Sequence, residues 1–154
     1  MEVIIDPSAL AAILLEEPDA GFFAAAIAGA PQRRLSAASY VELAAVLDGR
    51  RNPVLSGALD ATLATSRIEI APLTAHQARI ARDAYQRFGR GSGHPARLNM
   101  GDCFSYALAR DLGEPLLFKG RDFALTDIEL VTEPDRSKRL SEIVAAYAAS
   151  TGAG

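Results

Sequence analysis

Four acidic residues far apart in the chain, Asp6, Glu42, Asp102 and Asp122, share one kind of setting. Asp6 directly follows the apolar run Val3-Ile4-Ile5, and Asp122 lies just past Leu116-Leu117-Phe118. The pattern predicts a helix from Ser39 with Glu42 in its first turn, and another from Asn99 or Met100 with Asp102 in its first turn. In an open parallel α/β sheet, strand ends and the helix starts beside them converge at the carboxyl edge, so these acids can meet there. Clustered carboxylates repel and push up one another's pKa values, a conflict that a divalent cation removes. Mg²⁺ or Mn²⁺ prefers oxygen ligands, keeps several waters and can turn one of them against a phosphodiester. Metal-assisted phosphodiester hydrolysis is the chemistry this set suggests, and it needs no nucleophilic side chain.

Each acid has a structural reading when taken alone. Asp6-Pro7 suits a strand-ending turn. Ser39-Tyr40-Val41-Glu42 has capping-box spacing. Asp102 would complement a helix dipole, and Asp122 would cap a loop. The joint placement favours chemistry. Outside the set, His76 and His94 have no partner at metal-ligand spacing and read as surface residues. Cys103 reads as a small packing residue and Asp127 as a turn residue. Arg79, Arg82, Arg87, Arg90 and Arg97 crowd the segment before Asp102 against the single acid Asp83, by default a solvated helix face.

The elements that must carry these residues follow a β/α rhythm of short apolar runs and longer amphipathic stretches. Strands are predicted at Val3 to Ile5, around Leu35, over Ile68, Ile70 and Leu73, at Leu116 to Phe118, and around Ile128 to Val131. Helices are predicted from about Ser8 to Leu15, Pro18 to Ala28, Ser39 to Arg51, Pro53 to Ser66, Thr74 to Tyr85 or Phe88, Asn99 or Met100 to Leu112, and Pro134 to Ala149. Thr74 with Gln77 has capping-box spacing. Glycines 89, 91 and 93 with Pro95 make 89–98 a loop. In the last helix Leu140, Ile143, Val144 and Tyr147 fall on one side. Such alternation argues for a mostly parallel sheet covered on both faces.

With 154 residues, 49% of them hydrophobic, the chain can bury one core and is short for two domains. A net charge of −3 means an anionic partner must be held by a local basic patch or by metal ions. One cysteine cannot form an internal disulfide, which fits a reducing cytoplasmic setting. No stretch has the length of a membrane span or the form of a signal peptide. A response-regulator phospho-switch would want paired acids after the first strand, and a haloacid-dehalogenase-type phosphatase a second Asp where Ser8 stands.

Four blocks, in order, resemble the motifs of VapC-type PIN-domain toxins: Val3 to Leu10, Ser39 to Leu43, Asn99 to Ala109 and Pro115 to Phe123. The resemblance implies a PIN-like three-layer α/β fold with a mostly parallel sheet of about five strands in the order 3-2-1-4-5. It implies a nuclease domain over 1–133, with 134–154 a helical extension of that domain ending flexibly. It places Asp6, Glu42, Asp102 and Asp122 at the catalytic, metal-binding positions and Ser8 in support of Asp6. The implied activity is Mg²⁺- or Mn²⁺-dependent endoribonuclease cleavage by the toxin of a type II toxin–antitoxin system. The implied partners are RNA, a small cognate antitoxin and a second copy of the chain. Arg90 and Arg97 become candidates for contact with the RNA backbone. The apolar helix positions Phe22, Phe23, Ile27, Leu43 and Val46 also suggest a homodimer. Two positions depart from the family: Pro7 where Thr or Ser is usual, and Arg121 where a second acid often stands. These departures leave room for an alternative, a PIN domain that binds RNA or protein without cutting.

Overall fold

The computed structural model describes residues 2–132 and 134–152, without the side chains of 134–140. Five strands, β1 (Val3–Ile5), β2 (Arg33–Ser36), β3 (Glu69–Ala71), β4 (Leu116–Leu117) and β5 (Leu130–Val131), form one sheet. Its order is β3-β2-β1-β4-β5 and every neighbouring pair is parallel. This is the predicted order. Parallel neighbours require crossovers, which here are helical: α1 (Pro7–Leu14), α2 (Ala20–Gly29), α3 (Ala37–Gly49), α4 (Pro53–Thr65), α5 (Ala75–Phe88) and α6 (Met100–Leu112). A 3-10 turn (Asp122–Leu125) links β4 to β5, and α7 (Pro134–Thr151) follows.

Side chains alternate across a strand, so central β1 feeds two cores. Ile4 joins Leu116, Phe88, Leu98, Tyr106 and Leu108 on the α5/α6 face. Val3 and Ile5 join Leu10, Phe23, Leu35, Leu43, Leu59 and Leu117 on the α1–α4 face. All three β1 residues are buried, which explains why this strand is an unbroken apolar run rather than an alternating one.

Several helix starts differ from the sequence expectation, each for a local reason. Ser36 is the N-cap residue of α3, so the helix begins at Ala37 and Ser39 lies inside it. The predicted Ser39/Glu42 capping box is absent, and Glu42 sits in the second turn. Pro18 lies in the turn before α2, which opens at Ala20. At α5, Thr74 Oγ1 accepts from Gln77 N at 3.1 Å, but Gln77 Nε2 donates to Asp111 at 3.0 Å instead of folding back to the cap. The reciprocal box forms at α6, between Asn99 and Asp102.

The apolar surplus expected to drive dimerisation is largely consumed within the chain. Phe23, Ile27 and Leu43 are buried in the α1–α4 core. Of the five residues, Phe22 is half-buried and Val46 is exposed. His94 also departs from the surface reading. It is half-buried, packs edge-on to Phe88 with ring centroids 4.9 Å apart, and its Nδ1 accepts from Ala96 N at 3.1 Å. Tyr147 of α7 lies against its other side at 5.6 Å, while Ile143 packs on the α5/α6 core. The side chain of Leu140 and the last two residues of the extension expected to end flexibly lie outside the described residues.

Candidate active site

Asp6 ends β1 and is the N-cap of α1. An N-cap carboxylate satisfies helix N–H groups left without intrahelical partners, and Oδ2 accepts from Ser8 N at 3.0 Å and from Ser8 Oγ at 2.6 Å. Pro7 then occupies the first helical position, where its missing N–H costs nothing. Oδ1 accepts from Ser105 Oγ of α6 at 2.6 Å. Burial pushes the Asp6 carboxyl up, the Ser105 and Ser8 hydrogen bonds hold it down, and the charge of Asp122 adds to the rise. Ser8 Oγ also accepts from Lys119 N at 2.9 Å, tying the end of β4 to the start of α1.

Asp102 is set at the third position of α6 by the capping box: its Oδ2 accepts from Asn99 N at 2.9 Å while its own N–H donates to Asn99 Oδ1 at 2.8 Å. Desolvation raises its carboxyl to about 7, against the Asn99 hydrogen bond and with the charges of Asp6, Asp122 and Glu42 adding to the rise. Glu42, from α3, rises for the same two reasons, partial burial and then the charge of Asp6. Its carboxylate lies directly over Gly101. A Cβ at residue 101 would stand 2.5 Å from Glu42 Cδ and closer still to Oε2, so any larger residue there makes the end of the Glu42 side chain move from this position.

Asp122 opens the 3-10 turn after β4, exposed, and its charge reaches both Asp6 and Asp102. Gly120, at φ +117°, makes the bend that precedes it. Neighbouring Arg121 is exposed and has no ion pair among the described residues. Lys119 is engaged, its ammonium donating to Glu17 and, at 3.0 Å, to Asp19.

The four acids thus stand at one edge of the sheet and interact electrostatically. Among the described residues, no three acidic, histidine or cysteine side chains close into a metal-binding group. Repulsion explains the spread: Asp102 is drawn to its own cap, Asp6 to two hydroxyls, and bringing carboxylates together without a cation raises their energy. As a donor set they nonetheless suit a hard cation, since they are all oxygen and, among the described residues, none of them forms an ion pair with a lysine or arginine.

Of the arginines, Arg87 is paired with Asp83 at 3.3 Å and Asp127 at 3.5 Å. Arg90 and Arg97 are exposed at the two ends of the 89–98 loop without an acidic partner among the described residues. Asp127 accepts from the Tyr106 hydroxyl at 2.6 Å and pairs with Arg87 and Arg110, a structural node away from the four acids. Cys103 is buried, and desolvation pushes its thiol up to about 12, consistent with a packing role. His76 is exposed and 3.4 Å from Asp111.

Sequence reasoning passed over Ser105 and Gly101 and read Ser39 only as a helix cap. Ser39 Oγ lies 3.4 Å from Ser105 Oγ, and both residues are fully buried. A faint signal for Ser105 existed: it follows Asp102 by three residues, on the same helix face. Gly101 had no such signal, because its neighbour comes from another helix.

A PIN-domain family model matches residues 3–129. Ribonuclease VapC28 of Mycobacterium tuberculosis is 56% identical over 127 residues, 82% of this chain and 96% of that protein. Ribonuclease VapC of Mycolicibacterium smegmatis is 48% identical over 129 residues, 84% of this chain and 99% of that protein. Among solved structures, the M. tuberculosis VapC20 toxin, described as cleaving the sarcin–ricin loop, superposes with a TM-score of 0.67 at 18% identity, over 86% of this chain and all of that one. A chain of a toxin–antitoxin complex from Klebsiella pneumoniae gives 0.64 at 20% identity, over 85% and 97%. At those identities the two structures speak to the fold. Helix α7 begins beyond the end of the family match.

Proposed function

This chain belongs to the PIN-domain family, among the VapC toxin ribonucleases, and from that membership we propose how its own residues serve the reaction. The activity is metal-dependent endoribonucleolytic cleavage by the toxin half of a toxin–antitoxin pair. The carrying observation for the site is the placement of Asp6, Glu42, Asp102 and Asp122 at one sheet edge, where burial first and the neighbouring acids second raise the carboxyls of Asp6, Glu42 and Asp102.

Asp6, Glu42, Asp102 and Asp122 hold Mg²⁺ or Mn²⁺. The ion supplies Lewis-acid stabilisation of the transition state and makes water a competent nucleophile near neutral pH. Asp6 is the rigid member, buried and bonded on both oxygens. Asp102 is held by a helix cap, while Glu42, close over Gly101, and Asp122 are both exposed and have the freer reach. Arg90, Arg97 and Arg121 hold the RNA backbone, since each is exposed and lacks an acidic partner among the described residues. A cognate antitoxin restrains the enzyme, and two copies of the chain associate through the surface around exposed Val41, Val46 and Val54.

A non-cutting module is the weaker reading, because Pro7 fits the first turn of α1 without loss and Arg121 does not displace any of the four acids. The test is RNA-end sequencing after brief expression of this chain beside Asp6→Asn, with purified protein assayed in EDTA and after adding Mn²⁺. New ends that depend on both Asp6 and metal are expected. Cleavage that persists in excess chelator would overturn the metal mechanism.

A further inference from the structure

A buried polar cluster joins Asp6 to two serines behind the site. Asp6, Ser39 and Ser105 are each at most 5% exposed. Ser105 has one hydroxyl proton and gives it to Asp6 Oδ1 at 2.6 Å, so in the 3.4 Å contact with Ser39 the Ser39 hydroxyl is the donor. A directed chain runs from Ser39 of α3 through Ser105 of α6 to Asp6 at the end of β1. With Ser8 on Oδ2 and Ser105 on Oδ1, the carboxylate is gripped on both oxygens from inside the fold and cannot turn about its last torsion.

We propose that Ser105 is a positioning residue for the metal site: it fixes the plane of the Asp6 carboxylate and ties it to the helix that carries Asp102. Two acids from different elements are thereby presented to the cation as a preformed pair. The proposal rests on the metal-site reading above and adds to it a residue that does not touch the ion. Packing alone does not account for a serine here. Cys103, Tyr106, Ala107, Leu108 and Ala109 of the same helix are all buried, and alanine at residue 105 would have the better helix propensity without a hydroxyl to satisfy. What the hydroxyl adds is its bond to Asp6. Partners that orient a metal ligand in this way govern affinity by 10- to 100-fold in well-formed sites, as an order of magnitude.

The experiment is calorimetric titration of the full chain with Mn²⁺ alone, for wild type, Ser105→Ala, Ser105→Cys and Ser105→Thr, with melting measured separately in EDTA. Ser105→Ala should weaken Mn²⁺ binding by about tenfold, at the lower end of that range, while shifting the metal-free melting temperature by only a few degrees. Ser105→Cys, with its weak S–H donor, should lose affinity as well, and Ser105→Thr should keep it. The cysteine and threonine variants carry the comparison if the alanine variant does not fold. Wild-type affinity in Ser105→Ala or Ser105→Cys, whatever the melting temperature, overturns the proposal alone. A wild-type chain that binds no Mn²⁺ overturns the metal-site reading and this inference together.

Discussion

At the scale of single residues, Asp102 has two duties that pull on its charge in opposite directions. As a helix cap it profits from ionisation, yet desolvation and three neighbouring acids lift its carboxyl to about 7. A folded-state pKa above the unfolded value near 4 means that the native chain binds the extra proton between those limits, so stability falls as pH rises through that window. Asp102→Asn keeps an oxygen for the Asn99 N–H and removes the charge. In EDTA at pH 7.5 it should therefore melt higher than wild type, by roughly 1–2 kcal/mol after solvent screening, or about 2–8 °C for a chain of this size. The gain should shrink towards pH 5, where wild-type Asp102 is itself protonated. Scanning fluorimetry of both proteins across this range checks it, and a gain that grows on acidification would contradict the assignment. Gly101 gives a second residue-level expectation. Gly101→Ala puts a methyl group where the Glu42 carboxylate lies, so cleavage should fall at least tenfold while a circular-dichroism melt moves only a few degrees, alanine being the better helix former.

At the scale of elements, α6 organises the site, since its first two turns carry Gly101, Asp102 and Ser105 and its start is pinned by Asn99. Asn99→Ala should cost about 1 kcal/mol through the lost cap. It should also lower activity more than that loss of stability explains, because Asp102 loses the backbone geometry that holds it; single-turnover rates at temperatures well below melting separate the two effects. The elements were readable from the chain where apolar runs were long and sharply ended. All five strands were expected, although β4 and β5 pair over only two residues each, whereas the order 3-2-1-4-5 came from the family resemblance and not from the runs themselves. The start of α3 was misread because Ser39 and Glu42 have capping spacing, whereas Ser36, at the end of β2, takes the cap position and frees Ser39 to face Ser105. The acids stood out because each was expected just past a strand or near the start of a helix, positions that meet at one sheet edge. Gly101 did not, and Ser105 showed only in its spacing from Asp102, because their importance comes from Glu42 and Asp6, which lie on other elements and meet them only in the folded chain.

At the scale of the whole molecule, a chain of net charge −3 must bind a polyanion with an acidic site at the centre of its reactive edge. Cations carried by the chain and cations taken from solution have to overcome that field together, and the same field is open to a competing positive group. An inhibitor that inserted an arginine among Asp6, Glu42, Asp102 and Asp122 would satisfy them with bidentate hydrogen bonds and replace the charge of the metal. The two occupants would then be linked: whatever factor the antitoxin takes from metal affinity, the metal takes from antitoxin affinity. Titrating the cognate antitoxin in EDTA and in saturating Mn²⁺ should give weaker binding in the second case, by at least tenfold if a single carboxylate pair is contested, about 1.4 kcal/mol of coupling. Equal affinity in both conditions would exclude displacement and leave occlusion of the proposed RNA path, along Arg90, Arg97 and Arg121, as the means of inhibition. That second route carries its own signature. An inhibitor seated on the arginines would lose affinity steeply with added salt, while its binding would be indifferent to Asp6→Asn.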